Sequence, residues 1–261
     1  MISLPKKLKI IKKEKNKATF EIEALYPGYG VTIGNSLRRV LLSSLEGAAI
    51  TQVKIKNVSH EFSTIPNVFE DVINILLNLK QLRFKIFTKE SQKAVLKIKG
   101  EKKVSGSDFK LPSQLDLVNK EAHIATLTDK KASLEIEIKV EKGIGYVLKE
   151  AMKKEKLEVG VLLLDAIFTP VQRVSFKIEN IRVGKRTDFD ILFLEIETDG
   201  TISPQEAFSK ASEILLNHFN LFTRTYKGKP SLVPEKKIKK TEEKSTKEKK
   251  HEKKKKRKKA K

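Results

Sequence analysis

Apolar residues alternate with charged ones through much of the chain. Phe20 and Ile22 flank Glu21, the period of a strand with one face in a core. The same period returns in LRFKIF (82–87), KAVLKIK (93–99), VSFKIENIRV (174–183) and ILFLEIET (191–198). It is strict in SLEIEIKV, at Leu134, Ile136, Ile138 and Val140. A further strand is predicted around Val53 and Ile55. VGVLLLDAIF (159–168) is apolar almost without a break and reads as a strand buried on both faces. GIGYV (143–147) marks a turn.

Three stretches switch to helical spacing. Gly28, Gly30 and Gly34 punctuate a turn, with Asn35 as the expected N-cap. Beyond it Leu37, Val40, Leu41, Leu42 and Leu45 cover over half of a helix circumference. Arg38 falls inside that apolar arc and Arg39 at its edge. Such a helix is expected to be buried on more than one side. Arginines placed there suit bidentate pairing across an interface, or run their stems over apolar surface to water. A second helix is predicted over 68–80, with Val72, Ile75, Leu76 and Leu79 on one face. The third is SPQEAFSKASEILLNHFNLF (203–222). Ser203 is its N-cap, Pro204 its first residue, and Glu206 completes a capping box. Phe208, Ala211, Leu215 and Phe222 share a stripe, with Ala207, Ile214 and Leu221 beside it. That face can pack on a sheet or on a second copy. The class is α+β, with many strands and about three helices.

Composition adds a boundary. The 261 residues are 39% hydrophobic, enough for one large domain or two smaller ones. The net charge is +22, but 235–261 alone holds 16 Lys/Arg against five Asp/Glu. This stretch carries one isoleucine, one alanine and no aromatic residue, too little apolar surface to offset chain entropy. Order is expected to stop after Pro234. The chain has no cysteine, which excludes disulfides and thiolate metal sites. No apolar run approaches the ~18 residues of a membrane span, and the basic start lacks the apolar core of a signal peptide. These features read as a soluble intracellular protein with polyanionic surroundings.

The chemistry on offer is sparse. The glycines are spaced G-x-G-x-x-x-G, one residue longer than a dinucleotide fingerprint, and no lysine follows Gly34. The stretch reads as a tight turn rather than a phosphate cradle. Asp188 and Asp190 stand two apart on a strand and would face the same way, the arrangement of a shared Mg²⁺ site. Lys185 and Arg186 just before them favour a turn or surface ion pair instead. His60, His123, His218 and His251 show no ligand spacing, so no metal site is predicted. Four tyrosines make a base-stacking platform for RNA unsupported.

Taken together, several strings resemble a known family. They are YGVTIGNSLRRVLLSSLEGAAITQVKI, HEFSTIPNVFEDVINILLNLKQL, GYV at 145–147, LLLDAIFTPVQRVSFKIENIRVGKRTDFD and LEIETDGTISPQEAFSKASEILLNHF. In this order they resemble the N-terminal assembly region of the alpha subunit of bacterial-type and plastid-type RNA polymerase. The resemblance implies a homodimer that nucleates assembly of the beta and beta-prime subunits without catalytic residues of its own. The catalytic magnesium is expected on beta-prime and no cofactor in this chain. It implies a discontinuous dimerisation subdomain (1–46 and 171–228), an inserted β-rich subdomain (47–170) and a disordered tail (229–261).

Residue by residue, the resemblance assigns Arg38, Arg39, Leu42, His60, Glu61, Phe62, Ser63, Thr64 and Lys80 to contact with beta. Gly34 lies in the same motif. Asp165, Arg182, Arg186 and Asp188 fall in the stretch facing beta-prime. The dimer interface would use Leu37, Leu41, Phe208, Ala211, Leu215 and Phe222. Cytoplasm, or plastid stroma for a plastid protein, is the implied location. The sequence departs from the family at Leu148, where proline is usual, and in the short lysine-rich stretch up to Val159. Family members usually continue into a small helical domain that binds promoter DNA and activators. The 27-residue basic tail is too short and polar to be one. It is expected to hold DNA or RNA non-specifically, if it has a partner at all. Two other classes compete: a free-standing basic nucleic-acid-binding protein acting through the tail, and a nucleotide-dependent enzyme using the glycine turn with Asp188 and Asp190.

Overall fold

The computed structural model describes residues 4–5, 8–152, 158 and 160–226. The chain begins with strands β1 (Lys9–Lys13) and β2 (Lys17–Leu25), helix α1 (Tyr29–Ser43) and strand β3 (Glu46–Ile55). Helix α2 (Val72–Lys80) follows, then β4 (Phe84–Ile86), β5 (Gln92–Lys99), β6 (Lys102–Ser105), β7 (Leu115–Leu117) and β8 (His123–Leu127). The rest is β9 (Ser133–Ile144), β10 (Tyr146–Val147), β11 (Val161–Leu163), β12 (Ala166–Ile167), β13 (Val171–Val183), β14 (Arg186–Thr198) and α3 (Pro204–Tyr226). The α+β class read from the pattern is the class found.

The elements build two separate cores. One sheet has the order β1-β2-β14-β13, all antiparallel. Its strands bury alternate residues: Ala18 and Phe20 on β2, Leu192, Leu194 and Ile196 on β14. Leu37 and Leu41 of α1 and Ala207 and Ala211 of α3 close over Phe20, Leu194 and Ile196. Phe208 stacks on Phe20 with ring centroids 4.9 Å apart. Each fully buried apolar side chain contributes about 1.5–3 kcal/mol. The second core lies between a β11-β3-β9-β5 sheet, α2 and two small antiparallel pairs, β4-β7 and β6-β8. Val53, Ile75, Leu79, Phe84, Leu96, Ile136 and Ile138 fill it. The chain divides into units 1–217 and 218–261. The described part of the second, His218 to Tyr226, is helical and exposes Phe219, Leu221 and Phe222.

Four expectations change. Helix α1 starts at Tyr29, well before Asn35, because Gly28 at φ 85° turns the chain directly into it. Helix α2 starts later, at Val72, where the Asp71 carboxylate accepts from the Asn74 amide at 2.9 Å. The residues before it make a turn at Pro66–Asn67, a bridge from Val68 to Leu127 and a bend at Phe69–Glu70, and the Phe69 amide donates to the Thr126 carbonyl. The run 159–168 is not one doubly buried strand. It splits into β11, an edge strand paired with β3, and β12, paired with β10. Leu162 and Leu164 are buried while Ile167 is 41% exposed, so one face is covered. Finally, α1 buries one side only, and Arg38 and Arg39 are both exposed.

Helix α3 opens as its sequence dictates. The Ser203 amide donates to Glu206 Oε2 and the Glu206 amide to Ser203 Oγ, both at 3.3 Å. Residues 153–157 and 159 of the lysine-rich stretch and the basic tail, including all of 229–261, lie outside the described residues.

Candidate interaction surface

The glycine turn resolves first. The amides of Gly28 and Gly30 donate to one oxygen of Asp190, at 2.9 and 3.0 Å. Asp190 is 7% exposed and sits on the core phase of β14, with Leu192, Leu194 and Ile196. A helix N-terminus attracts an anion through its unpaired amides and dipole. Here the chain supplies that anion itself. A methyl group on Gly30 would lie 2.9 Å from the same Asp190 oxygen, and one on Gly34 would lie 2.9 Å from the Phe176 ring. These two glycines therefore serve close helix-to-sheet packing, not phosphate.

Asp188, two residues earlier, has a different fate. It takes a bidentate pair from Arg186, at 3.0 Å to Nε and 2.6 Å to Nη2. That guanidinium stands 5.5 Å from the Tyr26 ring centroid and 5.2 Å from that of Phe189. The pair holds the Asp188 carboxyl below the usual carboxylate range and raises the arginine further. Asp188 and Asp190 thus do not face one site: one is exposed in an ion pair, the other buried under α1. The ladder shifts register beside both, which breaks the simple alternation. Arg182 Nε donates to the Gly184 carbonyl at 3.1 Å, so Arg182, Arg186 and Asp188 cluster at one hairpin end.

On α1, Arg38 and Arg39 are exposed and form no ion pair among the described residues, and Leu42 beside them is half-buried. In the loop after β3, His60, Phe62 and Thr64 are exposed, Glu61 and Ser63 half-buried. Ser63 Oγ donates to the His60 carbonyl at 2.7 Å, and the Ser63 carbonyl accepts from the Val72 amide, which ties the loop to α2. Its far end is clamped by Glu70. That carboxylate accepts from the Thr126 amide at 2.6 Å and hydroxyl at 3.1 Å, and meets His123 Nε2 at 2.8 Å. Burial pushes its pKa up, but these bonds outweigh burial and hold it below the usual range.

Lys80 reaches Asp165 Oδ2 at 3.3 Å, and the Lys149 amide donates to Asp165 Oδ1 at 2.9 Å. Lys149 Nζ continues to Glu61 Oε1 at 3.3 Å. The Lys149 amide first, then Lys80, keeps the Asp165 carboxyl below its ordinary range. The sign follows: the favourable contacts of Asp165 persist at neutral pH and fade only as the pH falls through its lowered pKa. Phe62, Ile73 and Leu77 are exposed around this network, beside a shallow cavity of about 200 Å³. Asp165 therefore stands with Glu61, Phe62 and Lys80, not with Arg182, Arg186 and Asp188. The break between β11 and β12 puts it against α2.

The six residues read as a dimer face separate by depth. Leu37, Leu41 and Ala211 lie inside their own core and present nothing to a second copy. Phe208 and Leu215 are half-buried against the same core. Phe222 is 61% exposed, as are its neighbours Leu216 at 59% and Phe219 at 58%.

Sequence reasoning missed Asp190 as a cap, Glu70 as a clamp and Lys149 as a bridge. The first carried a signal: an acid on the buried phase of a strand must find donors. The other two depend on contacts 56 and 16 residues away, with no local pattern. Among the described residues no three His, Cys, Asp or Glu side chains converge as a metal site, and no helix is long and apolar enough to cross a membrane.

The fold and surface define a two-core scaffold that fills its own anion site and leaves arginines and aromatics exposed. The comparisons make the class specific. A family model described as the RNA polymerase Rpb3/RpoA insert domain matches residues 53–169. The DNA-directed RNA polymerase subunit alpha of Flavobacterium psychrophilum is 45% identical over 222 residues, 84% of this chain and 67% of that one. That of Syntrophomonas wolfei is 46% identical over 229 residues, 86% and 72% of the two chains. That of Alkaliphilus oremlandii is 47% identical over 212 residues, 81% and 67%. The chain belongs to the DNA-directed RNA polymerase alpha-subunit family.

Proposed function

We propose that this chain forms a homodimer that nucleates assembly of RNA polymerase, one copy binding beta and the other beta-prime. It contributes no catalytic residue, and the magnesium chemistry belongs to beta-prime. The bacterial relatives favour a cytoplasmic setting. The observation that carries the reading is the exposed pair Arg38 and Arg39 on α1. Their helix is rigidly seated by Asp190, and they carry no ion pair among the described residues. An unpaired guanidinium on a rigid element is well placed to fork onto a partner carboxylate. The network of Glu61, Lys149, Asp165 and Lys80, ringed by Phe62, Ile73 and Leu77, supplies a second docking surface for a large subunit. Arg182, Arg186 and Asp188 form a third at the hairpin end.

Arg39→Ala is expected to leave the dimer intact and abolish capture of beta. Co-purification of tagged chain with beta checks this, and undiminished recovery of beta refutes the assignment. Pairing of copies is read onto the exposed residues of α3. Leu215 is half-buried in its own core, so changing it mixes folding with pairing. Leu216→Asp is the cleaner change. It should yield a folded monomer by light scattering, and a fully dimeric variant rules out that face.

The free-standing nucleic-acid binder is the weaker reading, because it leaves the seated arginines without a role. In the assembly reading, the tail at 235–261 is an auxiliary, salt-sensitive hold on nearby nucleic acid.

A further inference from the structure

The outer face of the β11-β3-β9-β5 sheet carries a lattice of lysines and glutamates. Lys93 pairs with Glu137 at 2.8 Å and Lys54 with Glu158 at 2.7 Å. Lys56 and Lys97 both pair with Glu135, across neighbouring strands. One row further, the compensation stops. Lys99 stands opposite Ser133 in the β5–β9 register, where the period of two would place the next glutamate. Lys131 follows in the turn before β9. Neither Lys99 nor Lys131 forms an ion pair among the described residues. The carboxylates nearest in sequence are Glu101, which pairs with neither lysine among the described residues, Glu135, shared by two lysines, and Asp129, whose oxygen accepts from the Lys131 amide at 2.7 Å.

Lys56, Lys97, Lys99 and Lys131 line a cavity of about 630 Å³. Its opposite wall is the loop after β3, with Asn57, Thr64, Ile65 and Pro66. Four lysines against one glutamate give the cleft a formal excess of three positive charges. A cavity of this size holds a drug-sized or nucleotide-sized ligand. Lysine ammonium groups, hydroxyls and side-chain amides suit phosphate oxygens. The apolar edge of Ile65 and Pro66 suits a flat ring.

We propose that this cleft binds an oligophosphate chain, held by Lys97, Lys99 and Lys131, with an attached base lying along Ile65 and Pro66. A free nucleoside triphosphate and the 5′-triphosphate end of an RNA share that chemistry. The site is on a different sheet from the one under the glycine turn, whose anion position Asp190 fills. It borders the loop that carries His60 to Thr64, so its occupant would touch the back of a surface read as a partner contact. The proposal stands without that reading, since it rests on the cleft alone.

The test uses the full chain and reads binding by position, because the basic tail offers polyanions a competing site. Methyl NMR follows Val58, Ile65, Ala132 and Leu134 during titration with tripolyphosphate, ATP and a 5′-triphosphorylated oligonucleotide at fixed ionic strength. Saturable shifts at these methyl groups are expected. K99E/K131E should weaken them at least about tenfold. If charge reversal disturbs the wider spectrum, K99Q/K131Q gives the same reading with a smaller perturbation. The tighter of ATP and the 5′-triphosphorylated oligonucleotide identifies the source. Shifts absent from the cleft for all three probes, or unchanged in both double variants, overturn the proposal.

Discussion

Asp190→Ala is expected to lose about 2–4 kcal/mol of stability, because the buried Gly30 amide left without a partner costs about 1–3 kcal/mol and the more exposed Gly28 amide adds less. Two amides, of Gly28 and Gly30, lose their acceptor at once. The helix they open also loses the negative charge at its N-terminus. For a body of this size the melting temperature should fall by roughly 6–12 °C. Asp190→Asn keeps one acceptor oxygen and should recover about half of the loss. Coupling to Gly30 sharpens the test. The alanine methyl of Gly30→Ala would press on the Asp190 carboxylate at 2.9 Å. Its penalty should therefore shrink in the Asp190→Ala background, a non-additivity that a double-mutant cycle reads directly. An unchanged melting temperature for Asp190→Ala would mean that the carboxylate does not seat the helix.

That residue also marks where the sequence was legible and where it was not. Period-two alternation placed Phe20, Ile22, Ile136 and Ile138 correctly, because a half-buried strand imposes its own pattern. The capping box of α3 was readable for the same reason: Ser203 and Glu206 are three residues apart and satisfy each other. The start of α1 was not. Asn35 has the chemistry of a cap, but the cap is Asp190, 160 residues from Gly30. The unbroken run 159–168 misled because its hydrophobicity hides a break between two sheets, at Leu164 and Asp165. The candidate contacts are legible only through the resemblance. Their grouping needed the fold, which draws Asp165 to Lys80 and away from Arg186.

Arg38 and Arg39 illustrate a further point. A helical wheel sorts residues by angle and sees Arg38 amid leucines. The folded chain covers one side of α1 with the sheet and leaves the rest bare. An apolar arc wider than its own core can cover is surface left for a partner. The wheel thus marks the surface proposed for a partner, and the single chain buries neither arginine.

Phe84→Ala carries the largest expected loss, about 3–5 kcal/mol for a fully buried phenylalanine. Phe84 is 1% exposed in the core of β3, β9 and α2. None of that core's residues belongs to the one under α1 and α3. The damage should therefore stay local. Hydrogen exchange should accelerate in α2, β4 and β9, while α1, β2 and β14 keep their protection. Uniform loss across both groups would mean that the chain unfolds as one cooperative body. The same variant separates two functions. Pairing of copies is read onto α3, which the damage does not reach. The loop from His60 to Thr64 is pinned to α2 through Ser63 and to β8 through Glu70. Loosening that frame should cost capture of the large partner while copies still pair. A variant that binds beta normally despite fast exchange in α2 would show that the loop docks without its scaffold.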